Sequence, residues 1–206
     1  MPKAKIHRKS TSIDMTPMVD LAFLLITFFM LTIKFRPPEN VKVITPSSVA
    51  EVKIPNENIL IITFDTTGRV FLSIDKKPAK IQLLKDIGQK YDLAFDEKEM
   101  KEFGMLADIG VPIRNLKQWL SLSVEDRKKN CPGIPCDSTD NQLAELLTMA
   151  RKASIAATGA DLRIAVKGDR KASAPTFKKV IATLQSKKIN KFNLITEGEA
   201  KPQSLK

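Results

Sequence analysis

Met15-Thr-Pro-Met-Val-Asp-Leu-Ala-Phe-Leu-Leu-Ile-Thr-Phe-Phe-Met-Leu-Thr-Ile33 is almost continuously apolar, and Asp20 is its only charged residue. At ~1.5 Å per residue, such a run nearly spans a hydrocarbon core of ~30 Å, so it reads as a transmembrane helix. A buried core helix would carry a polar stripe, but between Leu21 and Ile33 only Thr27 and Thr32 are polar, and both can return their hydroxyl hydrogens to the backbone. A cleaved signal peptide is disfavoured because Lys34, Phe35, Arg36, Pro37 and Pro38 follow the run instead of a small-residue cleavage site.

The flanks set the orientation and the domain plan. Residues 1–14 form a basic tail with Lys3, Lys5, His7, Arg8 and Lys9, and such short basic flanks stay cytoplasmic. The segment 15–35 is then a membrane helix, 36–58 a proline-rich linker, 59–197 an extracytoplasmic domain and 198–206 a tail. Pro37, Pro38, Pro46 and Pro55 make the linker a poor helix and predict an extended, far-reaching chain.

Beyond the linker, Ile59 to Ile74 gives two β-rich runs around Thr67-Gly68, which predicts a hairpin. Ile81, Leu84, Ile87 and Tyr91 recur at helical spacing, as do the apolar residues from Asn141 to Ala157. A strand Leu162–Lys167, a Gly168-Asp169 turn, a helix Ala174–Lys187 opened by Pro175 and a strand Lys191–Thr196 complete the pattern. Alternating strands and helices favour an α/β domain of α+β two-layer sandwich type behind a single membrane helix.

Composition narrows the function. The net charge is +11, yet one Trp and one Tyr offer little for base stacking, and no nucleic-acid-binding motif is present, so nucleic acid is not the expected partner. His7 is the only histidine and Cys131 and Cys136 are the only cysteines, so no metal site can be assembled from them and no cofactor is expected. No Ser/His/Asp set or Gly-rich phosphate loop exists, which argues against an enzyme. Cys131-Pro-Gly-Ile-Pro-Cys136 favours a tight turn, so an intrachain disulfide is expected in an oxidising compartment, against the alternative of two free thiols.

The chemistry rests on Asp20. An ionised carboxylate facing lipid costs ~2.5 to 3.5 kcal/mol even on lenient scales, so it must be protonated, paired or hydrated. Asp20 follows Pro17 by three residues and could simply sit at an interface near the helix start. Against this, Thr16 and Thr27 fall within about 40° of Asp20 around a helix and form one hydroxyl-bearing stripe. Such a stripe suits packing against other helices around a hydrated path.

Ile13-Asp-Met-Thr-Pro-Met-Val-Asp20, followed by Leu24-Leu-Ile-Thr-Phe-Phe-Met30, resembles the membrane signature of the ExbD/TolR family. Thr63-Phe-Asp-Thr-Thr-Gly-Arg-Val-Phe-Leu72, Lys167-Gly-Asp-Arg170 and Lys191-Phe-Asn-Leu-Ile-Thr-Glu197 resemble its periplasmic domain. The resemblance implies a proton-translocating subunit of the inner membrane, working with an ExbB/TolQ-like membrane protein and a TonB-like periplasmic protein. It implies Asp20 as proton carrier, with Thr16, Pro17 and Thr27 in support, while the polar face of Met15–Ile33 itself predicts a dimer of the chain within a ring of partner helices. It also implies that Ile44, Thr45 and Pro46 dock a partner. Residues 92–161 depart from the family as an insertion with room for two extra helices and a cysteine loop. The rival reading is a passively anchored periplasmic binding module with an interfacial Asp20. A peptidoglycan-gripping flagellar stator is disfavoured because no OmpA-like pattern is present in the C-terminal half.

Overall fold

The structure is a computed structural model that describes residues 14–33, 39, 41, 43–48, 57–137 and 140–198. The chain divides into two compact units, Met1–Arg36 and Pro37–Lys206. Residues 1–13 of the basic tail 1–14 lie outside the described residues.

In the first unit, α1 spans Thr16–Thr32, with Pro17 in its first turn, where the missing N–H needs no partner. Ile33 ends the helix in an extended conformation. Its 17 residues are about 25 Å long at the α-helical rise, short of a ~30 Å core. Among the described residues, no helix is long and apolar enough to cross a membrane. The helix is shorter than the expected span because the backbone turns extended at Ile33, and residues 34–38 lie outside the described set.

The second unit is built on β2 (Ile59–Phe64) and β3 (Val70–Ile74), the expected hairpin. Its turn follows from Asp65-Thr66-Thr67-Gly68. The Asp65 Oδ1 accepts from the Thr67 N–H at 2.9 Å, the Thr67 hydroxyl at 2.7 Å and the Arg69 N–H at 2.9 Å. Gly68 has φ +83°, which a side chain rarely adopts. Arg69 closes the turn with an ion pair to Asp65 Oδ2 at 2.7 Å.

The helix α2 (Lys77–Tyr91) begins earlier than its apolar periodicity predicts, because Pro78 serves as a first-turn proline. Insertion residues then form α3 (Glu97–Met105), a short 3₁₀ turn at Ile113–Asn115, α4 (Leu116–Leu120), α5 (Val124–Lys129) and α6 (Gln142–Thr158). The chain closes with β4 (Arg163–Gly168), α7 (Ala174–Ser186) and β5 (Phe192–Ile195). Sheet order is β3-β2-β4-β5, with β2–β3 antiparallel and β4 parallel to both its neighbours. A mixed α/β unit around one four-stranded sheet is thus observed, as the alternation of elements predicts.

The register places Leu60 beside Ile164 and Ile62 beside Val166, and all four are buried. Leu83, Leu84 and Ile87 of α2, Leu143, Leu147 and Ala150 of α6, and Val180 and Leu184 of α7 belong to the same core cluster. Between α2 and α6, the Tyr91 hydroxyl donates to Glu145 Oε2. Burial, followed by that carboxylate, pushes the Tyr91 phenol up to about 12.

The insertion is not an appendage. Phe103, Ile109, Val111, Ile113, Leu116, Trp119 and Leu120 are buried in the same cluster. Leu72 and Ile109 exchange N–H···O bonds at 2.8 Å each, and the Ile134 N–H donates to the Val70 carbonyl at 2.8 Å. Gly110 allows this approach, since a Cβ there would lie 2.2 Å from a Phe71 ring carbon. Lys80 fixes the far side by donating from Nζ to the Leu106 carbonyl.

Asp65→Ala removes an acceptor shared by several donors and should cost about 2 kcal/mol. Urea unfolding of the full chain in detergent, followed by Trp119 fluorescence, measures it. Burial raises the Asp65 pKa, but the hydrogen bonds from Thr67 and Arg69 outweigh it and hold the carboxyl below its ordinary value. A depressed folded pKa gives stability that is present above the ordinary carboxylate range and lost as pH falls through the folded value. The wild type should therefore lose more stability than Asp65→Ala as pH falls from about 5 to about 2.

Candidate functional site

Asp20 sits near the N-terminal end of α1. Apolar side chains surround it on every side of the helix, with Met18, Val19, Leu21, Phe23 and Leu24 all exposed. A helix that is apolar all round needs an apolar medium or partner helices to cover it. Asp20 has no hydrogen bond or ion pair to another described residue.

The two flanking threonines have already committed their hydroxyl hydrogens. The Thr16 hydroxyl donates to Asp14 Oδ1 at 2.6 Å, and the Thr27 hydroxyl donates to the Leu24 carbonyl at 2.9 Å. Their oxygens remain acceptors. On the Asp20 face these oxygens are available to accept hydrogen bonds, for example from water. Asp14 was not singled out from sequence. Its spacing two residues before Thr16 was the available signal, because short acidic side chains at helix starts accept backbone N–H bonds, as Asp14 does from Thr16 N–H at 3.1 Å.

A family model described as Biopolymer transport protein ExbD/TolR matches residues 7–199, nearly the whole chain. The chain belongs to the ExbD/TolR family. No curated protein and no solved structure matches it. The family match includes α1 with Asp20 and runs through the insertion to the end of the sheet domain.

The other residues singled out from sequence lie in the second unit of this ExbD/TolR chain. Part of the expected free linker is held on its own domain. The Ile44 N–H donates to Asp169 Oδ2 at 3.1 Å, and the Arg170 N–H donates to the Ile44 carbonyl at 2.7 Å. Thr45 is buried, Pro46 is half-buried, and the Ile44 side chain is 68 % exposed. Immediately beyond, β1 (Ser47–Ser48) pairs in parallel with β6 (Glu197–Gly198). A linker extended and free along its whole length is thus not observed. Asp169 was read from sequence only as a turn residue. The Gly-Asp turn signals a bend, but not a carboxylate that reaches a backbone N–H far along the chain.

Cys131 and Cys136 are free thiols in this structure, not the expected bridge. Cys131 points into the core, where its thiol donates to the Arg127 carbonyl at 2.7 Å, whereas Cys136 packs half-buried at the periphery. The intervening turn is spent on backbone bonds, Gly133 donating to the Gly110 carbonyl within the insertion and Ile134 to that of Val70 on the hairpin. Burial pushes both thiols up. Among the described residues, no group of His, Cys, Asp and Glu could hold a metal ion.

Two predictions follow from this geometry. Asp169→Ala should speed amide exchange at Arg170 and Ile44 by roughly tenfold or more, because it frees one end of that paired contact. Unchanged exchange would remove the role assigned to the carboxylate. In the reduced full chain, alkylation should reach Cys136 first and Cys131 only on unfolding, as read by mass spectrometry of peptide fragments.

Proposed function

We propose that this ExbD/TolR chain is the proton-carrying subunit of an inner-membrane motor that turns proton motive force into work on a periplasmic partner. The observation that carries the reading is Asp20, the sole charged side chain of α1, with no partner among the described residues and the Thr16 and Thr27 hydroxyls on its face. An ExbB/TolQ-like protein supplies the helices around α1, and a TonB-like protein receives the work from the sheet domain. Asp20 accepts a proton from the periplasmic side, moves as a neutral acid and releases the proton inward.

The length of α1 fits this assembly. A helix shorter than the local hydrocarbon thickness is accommodated by local thinning, by snorkelling flanks or by oligomerising. Two copies of α1 inside a ring of partner helices cover the apolar surface and give Asp20 a polar neighbourhood. Orientation follows from the basic residues 1–14, with the sheet domain in the periplasm. Each elementary charge crossing 100 mV releases about 2.3 kcal/mol, so a few protons suffice for a mechanical step.

Asp20→Asn keeps the shape and removes the titration. The variant should assemble with its membrane partner at wild-type level yet lose proton-dependent transport at least roughly a hundredfold. Co-purification together with energy-dependent uptake in cells reads both. Normal uptake by the variant would favour the passively anchored module instead.

A further inference from the structure

The four-stranded sheet has two outer edges, and they are treated differently. The β3 edge is closed by the insertion through Ile109 and Ile134. The outer edge of β5 has no partner among the described residues. Natural edge strands are usually blunted by charge, proline, a bulge or a covering loop, yet Phe192-Asn-Leu-Ile195 contains neither charge nor proline. Its register places Phe192 beside buried Ile164 and Leu194 beside buried Val166. Leu194 nevertheless is 48 % exposed. The apolar face therefore runs out to the edge and has no cover there among the described residues.

A hollow of about 750 Å³ opens at the start of the same strand. Phe192 and Ile189 contribute apolar lining, and Arg163, Lys188 and Lys191 contribute cations. These three are exposed, and none forms an ion pair with a described residue. Arg151, at another wall, is neutralised by Asp161, to whose Oδ1 its Nε donates at 2.9 Å. The hollow thus keeps three uncompensated cations beside a strand edge with unused hydrogen-bonding capacity.

We propose that the β5 edge and this hollow bind an extended acidic segment of a partner protein, added as a further strand with its carboxylates among Arg163, Lys188 and Lys191. Main-chain bonds to an edge supply affinity in such an arrangement, and the flanking charges select the sequence. A second copy of this chain fits less well, because pairing would bring like cations together in a protein of net charge +11. The inference goes beyond the proton-carrying reading and does not depend on it, since the binding needs no proton gradient.

The test uses the full chain in detergent micelles and fluorescent peptides of about ten residues. One alternates Glu with Val, the second alternates Lys with Val, and the third is the Glu peptide N-methylated at every other residue in either phase. The Glu peptide should bind at least roughly tenfold more tightly than the Lys peptide and slow amide exchange at Phe192–Ile195. One phase of N-methylation should abolish binding, and Arg163→Glu with Lys191→Glu should weaken it roughly tenfold or more. Equal binding of both charge types, or indifference to N-methylation in both phases, would overturn the proposal. So would protection, in the absence of peptide, of the β5 amides that face away from β4, the sign of a second copy or of residues 199–206 on the edge.

Discussion

A carboxyl group on a helix that is apolar on every side has to be neutralised, hydrated or paired, and the described residues around Asp20 do none of these. The threonines on its face have given their hydrogens to Asp14 and to the Leu24 carbonyl, so they offer only acceptors. Any hydrogen-bond donor to the Asp20 carboxyl must then come from outside the helix. The rest of the chain is consistent with a part made to be completed by others: an apolar rod with one titratable group, attached to a well-packed domain that carries charge elsewhere.

Much of the domain's buried cluster is supplied by the insertion, which behaves as core. Trp119 and Cys131 both donate to the Arg127 carbonyl, while the Arg127 side chain pairs with Glu102 at 2.6 Å. This cluster holds α4 and α5 together and positions the cysteine turn against Val70. By occupying the β3 edge, the insertion directs any added strand to the opposite side of the sheet. The linker residues Ile44–Ser48 tie down on the same domain, at Asp169, Arg170 and β6. Val41 packs against the same core and Glu39 pairs with Lys167 Nζ at 3.4 Å, so linker residues ahead of Ile44 are held on the domain as well.

Much of this was legible in the sequence. The hairpin was readable because Ile59–Phe64 and Val70–Ile74 are β-rich around a turn whose Asp65 and Gly68 have local roles. The helix α6 was readable from the apolar spacing between Asn141 and Ala157, and the structure adds that the Asn141 side chain caps the Ala144 N–H at 3.0 Å. What escaped was non-local. Nothing in the order of residues says that Ile109 pairs with Leu72, or that Asp169 accepts from Ile44. Spacing alone does not show how the cysteines are placed: in this structure both are free thiols and Cys131 is committed to the core. The helix end was set too late because apolarity continues to Ile33 while the backbone does not.

The central claim is that Asp20 exchanges protons as part of its work. Isotope-edited infrared spectroscopy of the full chain, reconstituted in bilayers with its membrane partner and labelled at aspartate, measures this directly when referenced to Asp20→Asn. The account predicts a protonated-carboxyl band, absent from the variant, whose intensity changes when a proton gradient is imposed. A fully ionised Asp20 whose bands do not respond to the gradient would contradict it.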